Sequence, residues 1–192
     1  LRLKGNDGNI WKFRSMEKDP SKTLPPVLRK TIAADILKDQ ISSAHPFADL
    51  VAAPILDSLN IIHNQPYLFY MPDDESLGEF KDEFGGILGM IEIHPDVEED
   101  EGISFRGAVK IEGTLDLFDR LADKRSEKIH AVDFLKARLA DLLIGDWDRH
   151  TDQWKWALYK NGDEKIWYPI PRDRDQPFAK FDGLLVRVAE YM

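Results

Sequence analysis

"GDWDRHTDQWKW", residues 145–156, is the stretch on which the fold turns. It follows "FLKARLADLLI", residues 134–144. Upstream of it Ile129, Val132, Leu135, Leu139, Leu142 and Leu143 recur at helical spacing, which predicts a buried helix ending at Gly145. Downstream, Trp154, Trp156 and Leu158 alternate as in a strand. Asn161-Gly162 is a tight-turn signal, and "KIWYPI" runs back from it. This hairpin delivers a second acid-rich stretch, "PRDRDQPF", residues 171–178, next to the first. Asp146, Asp148, Asp152 and Gln153 are therefore expected to face Asp173 and Asp175. Crowded carboxylates repel unless a cation sits among them. Hard oxygen ligands in a chain without cysteine suggest Mg²⁺, Mn²⁺ or Ca²⁺. The same residues allow a purely structural arrangement, in which Arg149, Arg172 and Arg174 neutralise the acids as a salt-bridge network.

Outward from this hairpin, "LRLKGNDGNIWKFR" reads as two short strands around an Asp-Gly turn. "VLRKTIAADILKDQISSA" has helical periodicity, and "HPFADLVAAPILDSLNII" a second helix interrupted near Pro54. "QPYLFYMP" and "ILGMIEI" read as strands, separated by a turn-rich connector that suggests a boundary after residue 72. "PDVEEDEGIS" reads as a solvated acidic loop. "TLDLFDRLAD" reads as a helix with Thr114 as N-cap, and "GLLVRVAEYM" as a terminal helix or strand. The sequence thus predicts an α+β protein. Trp154, Trp156 and Trp167 are expected to pack in its core. His45, His63, His94 and His130 have no metal-ligand spacing.

The 192 residues carry 26 basic and 35 acidic side chains, a formal net charge of −9. That balance argues against nucleic acid, whose affinity comes from neutralising phosphates. No apolar run reaches the ~18 residues of a membrane span. The first residue is not Met and no signal-peptide pattern follows it, so a processed chain or a piece of a longer protein is expected.

"DRHTDQ", residues 148–153, resembles the Asp-Arg-His-x-x-Asn catalytic loop of phosphatidylinositol kinases and the Asp-Arg-His loops of atypical secretory-pathway kinases. It is more distantly similar to the CotH and HipA kinases. "DRDQPF", residues 173–178, resembles the Asp-x-Gly-x-x-Phe metal-binding motif of the atypical kinases. The longer pattern, "RSMEKDP", "DQISSAHP", "LIGDWDRHTDQWKW" and "PIPRDRDQPF", resembles kinase-like modules of Bacteroidetes proteins. Those often adjoin a calcineurin-like metallophosphoesterase domain and an outer-membrane barrel.

The resemblance implies a protein-kinase-like fold of two lobes. Residues 1–72 would form a small N-terminal lobe and 73–192 a short, minimal C-terminal lobe. It implies an atypical phosphotransferase that binds ATP and Mg²⁺ or Mn²⁺, and an unknown acceptor. Asp148 would be the base that takes the acceptor's proton, with Arg149 and His150 shaping the loop. Gln153 and Asp173 would hold the metal, with Asp146 and Asp175 as extra acids behind them or as alternate ligands. Arg14 or Lys12, with Lys18 in reserve, would grip phosphates, paired with Asp35 or Asp39. Gln153 departs from the family's Asn, its extra methylene moving the oxygen by ~1.5 Å. The Gly-rich loop of the family is also meagre here. A second implication is a degenerate kinase-like module that binds or scaffolds beside a phosphoesterase or membrane domain. Either would place the chain at the bacterial cell envelope, in the periplasm or at the outer membrane.

Overall fold

The structure, a computed structural model, describes residues 1–16, 45–98 and 103–179. The helix expected over "VLRKTIAADILKDQISSA" and the terminal "GLLVRVAEYM" lie outside the described residues, as do Lys18, Asp35 and Asp39.

The N-terminal hairpin forms as expected, with β1 (Arg2–Lys4) antiparallel to β2 (Ile10–Ser15). Asp7 fixes its turn, accepting from the Asn9 N–H at 3.0 Å and from the Trp11 indole N–H at 3.3 Å. Helix α1 (Ala48–Ser58) runs through Pro54 instead of breaking there. Pro54 lies on the exposed side of the helix. Next come β3 (Tyr67–Tyr70), a 3-10 segment (Glu75–Phe80), the single-turn α2 (Lys81–Phe84) and β4 (Leu88–Ile93). β1 to β4 make one sheet in the order β1-β2-β4-β3. The boundary expected after residue 72 therefore falls inside a sheet, because β3 and β4 are hydrogen-bonded neighbours. In β2 Phe13 points into an aromatic cluster with Phe69 and Phe84, while Lys12 and Arg14 alternate onto the other face. Gly89 makes room for that cluster, since a Cβ there would lie 2.3 Å from the Arg14 carbonyl and 2.4 Å from the Phe13 ring.

The expected acidic loop holds a two-stranded ribbon, β5 (Val97–Glu98) with β6 (Ile103–Ser104). Beyond it stands a second sheet, ordered β7-β9-β10-β8. Its centre is the predicted hairpin, β9 (Trp154–Asn161) and β10 (Glu164–Pro171). β7 (Lys110–Gly113) and β8 (Glu127–Ile129) flank it; neither was evident as a strand, being four and three residues long. Helix α3 (Thr114–Asp123) is capped by Gly113, not by Thr114. The Thr114 hydroxyl instead donates to the Thr151 carbonyl at 2.8 Å and accepts from the Trp156 indole at 3.2 Å, so it ties α3 to the acidic loop.

Helix α4 (Ala131–Ile144) stops at Gly145, whose left-handed φ of 71° suits a residue without Cβ. The apolar stripe on this helix is real, but it faces outward. Leu135, Leu139 and Leu143 are exposed, while Ala137, Ala140, Asp141 and Ile144 are buried. The small alanines let α4 approach the aromatic face of the hairpin closely. There Trp154, Trp156, Leu158 and Trp167 form the main core with Leu56, Ile61 and Leu117. All three tryptophans are buried, as expected from the alternation. The Trp167 indole donates to Glu127 at 2.8 Å, and Glu127 takes a bidentate bond from Arg120. The architecture among the described residues is α+β, with two four-stranded sheets and their helices. Among these residues no helix is long and apolar enough to cross a membrane.

Candidate functional site

The two acid-rich loops do meet. The Arg172 N–H donates to the Gln153 carbonyl at 2.9 Å, and Arg149 donates to the Arg172 carbonyl at 2.6 Å. Farther on, the Phe178 N–H donates to the Ile144 carbonyl at 3.0 Å, which anchors the second loop to the end of α4.

Beneath the loops the acids are neutralised by arginines. Asp141 and Asp146 are fully buried, as are Arg149 and Arg174. Arg149 is paired with Asp146 and lies 3.5 Å from Asp141. Arg174 reaches Asp141 at 2.8 Å and Asp146 at 3.2 Å, and Arg138 closes the rim on Asp141 at 2.9 Å. Burial raises the Asp146 carboxyl above its ordinary value, against the pull of Arg149 and Arg174. Asp146 is thus part of a buried structural ion cluster. The signal for Asp141 was its break in the apolar pattern "LADLLI".

Asp148 stands at the surface with about half its side chain exposed. One of its oxygens accepts from the Gln153 amide at 3.1 Å, and the other lies 3.9 Å from the His150 ring. The His150 Nδ1 accepts from the Asp152 N–H at 3.3 Å, so the ring caps the short 3-10 turn Thr151–Gln153. Gln153 is buried. Its carbonyl oxygen accepts from Arg149 at 3.0 Å and its amide donates to Asp148, which clamps the side chain at both ends.

Arg14 on β2 is ion-paired with Asp173 of the second loop and also with Glu92 on β4, the latter at 3.1 Å. Glu92 and Asp173 raise the Arg14 guanidinium above its usual value in spite of its burial. Asp173 has a left-handed φ of 57°, which turns the chain at this point. Asp175 lies two residues on and is half-buried. Asp49, in the first turn of α1, accepts from the Arg174 N–H at 3.0 Å. Burial pushes its carboxyl up to about 6, Arg14 opposing and Glu92 and Asp173 adding. Glu92 and Asp49 were not foreseen; the acid expected to pair with Arg14 was Asp35 or Asp39. Lys12 lies beside Glu92 in register.

A small cavity runs from α1 to the second loop, lined by Asp49, His63, Asn64, Glu92, Asp173 and Arg174 among others. It has room for about one water. Both ring nitrogens of His63 and both amide atoms of Asn64 are buried without a hydrogen-bond partner, the His63 Nε2 lying 3.8 Å from the Asp57 carboxylate. Burial holds His63 down at about 4, with Arg106 adding to the effect, so the ring is neutral.

As placed, the donor set does not fit a divalent cation. Among the described residues no three His, Asp or Glu side chains converge on one point. The Gln153 oxygen faces a guanidinium, and Asp173 is neutralised by Arg14.

No family model, no curated protein and no solved structure matches the chain.

Proposed function

We propose that the chain is a kinase-like module that binds the phosphates of a nucleotide-type ligand in the cleft between β2 and the loop 172–174. The observation that carries this reading is the Arg14–Asp173 pair. It joins a cation on the N-terminal sheet to the acid that follows the C-terminal hairpin. The resemblance of "DRHTDQ" and "DRDQPF" to kinase loops puts these same two roles side by side. The packed loops support it further, since Arg149 and His150 serve as the scaffold that such loops need.

Because Gln153 and Asp173 are engaged by arginines, binding without turnover is the primary reading, that of a degenerate kinase-like module. Phosphoryl transfer is the second, favoured by Asp148. Its carboxylate is about half exposed and oriented by Gln153, so it can accept a proton from an approaching hydroxyl.

Calorimetric titration of ATP, with and without Mg²⁺, tests the binding reading on the wild type and on Asp173→Ala. Saturable binding that Asp173→Ala changes supports it. No heat from a chain shown to be folded overturns it. Incorporation of label from γ-labelled ATP, lost in Asp148→Asn while binding persists, would select the transfer reading.

A further inference from the structure

We propose that the outward face of α4 is a docking seam for an amphipathic helix of a partner protein, apolar along its contact stripe and acidic on its flanks. This goes beyond the nucleotide reading and does not depend on it.

α4 is apolar on two opposite sides. Ala137, Ala140 and Ile144 are buried, the two alanines within the tryptophan core. Val132, Leu135, Leu139, Leu142 and Leu143 are exposed, from 52% at Leu142 to 79% at Leu143. A helix at a protein surface carries polar residues on its outer side, whereas a helix apolar all round is packed all round. Single exposed leucines need no explanation, but a continuous stripe of them marks a contact surface. From Val132 to Leu142 the exposed positions are spaced by three, four and three residues. That is the a-d-a-d order of a coiled-coil seam, with Leu143 widening it at its end. Trp147, also exposed, stands against the end of the helix, where a Cβ on Gly145 would lie 3.7 Å from its indole nitrogen. An aromatic side chain of this kind is a typical anchor of a protein contact.

The charges beside the seam select the occupant. With Val132 at a, Lys136 falls at e and Arg138 at g, one on each flank. The two acids of α4 do not balance them at the surface. Asp133 and Asp141 are turned inward, while Lys136 and Arg138, which pair with them, stay more than a third exposed. A second copy of α4 would set Lys136 against Arg138 in a parallel pair, and each against itself in an antiparallel pair. Like charges meet in both cases. A helix with acidic flanks meets both cations with opposite charge. A phospholipid surface fits less well, because anionic headgroups would repel a chain of net charge −9. The stripe is also a narrow seam, not the broad apolar face of an interfacial helix.

The probe is a synthetic peptide of three heptads with leucine at a and d and glutamate at e and g. It carries a fluorophore and is titrated with the full chain, binding being read by anisotropy. A control peptide has lysine at e and g. Saturable binding of the acidic peptide is expected, at least about tenfold tighter than that of the control. Leu139→Ser is expected to weaken it about tenfold or more. Lys136→Glu is expected to weaken the acidic peptide at least about threefold and to strengthen the control. Leu139 is exposed, so Leu139→Ser should melt no lower than the wild type. Should it fail to fold, Leu135→Ser carries the same expectation. No binding to the folded chain, equal binding of the two peptides, or binding indifferent to both serine variants overturns the proposal. Another occupant of the face overturns it as well. A dimer that Leu139→Ser dissociates would show a second copy there. A clear loss of melting temperature in both serine variants would show the chain's own residues there. Leu139-dependent sedimentation with vesicles of phosphatidylcholine and phosphatidylserine would show lipid there.

Discussion

Arg14 and Asp173, 159 residues apart in the chain, form an ion pair that bridges the N-terminal sheet and the loop after the C-terminal hairpin. Glu92 completes the group on the sheet side. Removing the guanidinium takes away the cation that Glu92, Asp173 and Asp49 share. Arg14→Met is expected to cost about 1–3 kcal/mol, less than a fully buried pair because Asp173 is partly solvated. A double-mutant cycle with Asp173→Asn, read by urea denaturation, should recover part of that loss. Additive costs would show that the pair is not coupled.

The buried cluster under the loops behaves differently from the acid at their rim. Asp146→Ala strands Arg149 and Arg174 without a full set of partners, and is expected to cost about 3–5 kcal/mol. Asp148→Ala removes an exposed carboxylate and is expected to cost less than about 1 kcal/mol. Thermal melts of the two variants side by side check this contrast. Equal costs would contradict the division into a structural Asp146 and a solvent-facing Asp148.

This division marks how far the sequence could be read. The hairpin, the meeting of its two flanking loops, the Gly145 stop and the buried tryptophans follow from periodicity and turn chemistry, which are local. The competing salt-bridge arrangement was also legible, because Arg149 and Arg174 sit among the acids. The outward turn of the leucine stripe on α4 was not. Periodicity identifies a face, but only the close approach of Ala137 and Ala140 to the tryptophan sheet decides which face turns inward. Glu92 was missed because its role depends on β2 pairing with β4 rather than β3, a long-range choice that alternation alone does not specify. Asp49 was missed for the same reason, since the chain from the second sheet folds back over α1.

Asp49 gives a pH signature of known sign. Its folded value of about 6 lies above the ordinary 3.8. Between these values the folded state holds more protons than the unfolded state. The stabilisation tied to protonated Asp49 is complete below pH 3.8 and is lost as pH rises through about 6. Asp49→Asn keeps an acceptor for the Arg174 N–H but cannot ionise. Its melting temperature should therefore gain on the wild type as pH rises from 4 to 7, then hold a constant difference. A difference that shrinks over that range would contradict the burial of this carboxyl.

His63 has the opposite sign. Its folded value of about 4 lies below the ordinary 6.5, so its contribution is present above pH 6.5 and is lost as pH falls through about 4. His63→Gln, which cannot take up a proton, should lose less melting temperature than the wild type between pH 6.5 and 4. Equal losses would show that His63 is not held neutral.

The location of the ligand site is tested most directly by amide chemical-shift mapping of the ¹⁵N-labelled chain with ATP. The expected result is a set of shifts concentrated on β2 around Lys12 and Arg14, on residues 172–174 and on the loop 148–153. Shifts confined elsewhere, or none at saturating ATP, would contradict a phosphate-binding cleft at the Arg14–Asp173 pair.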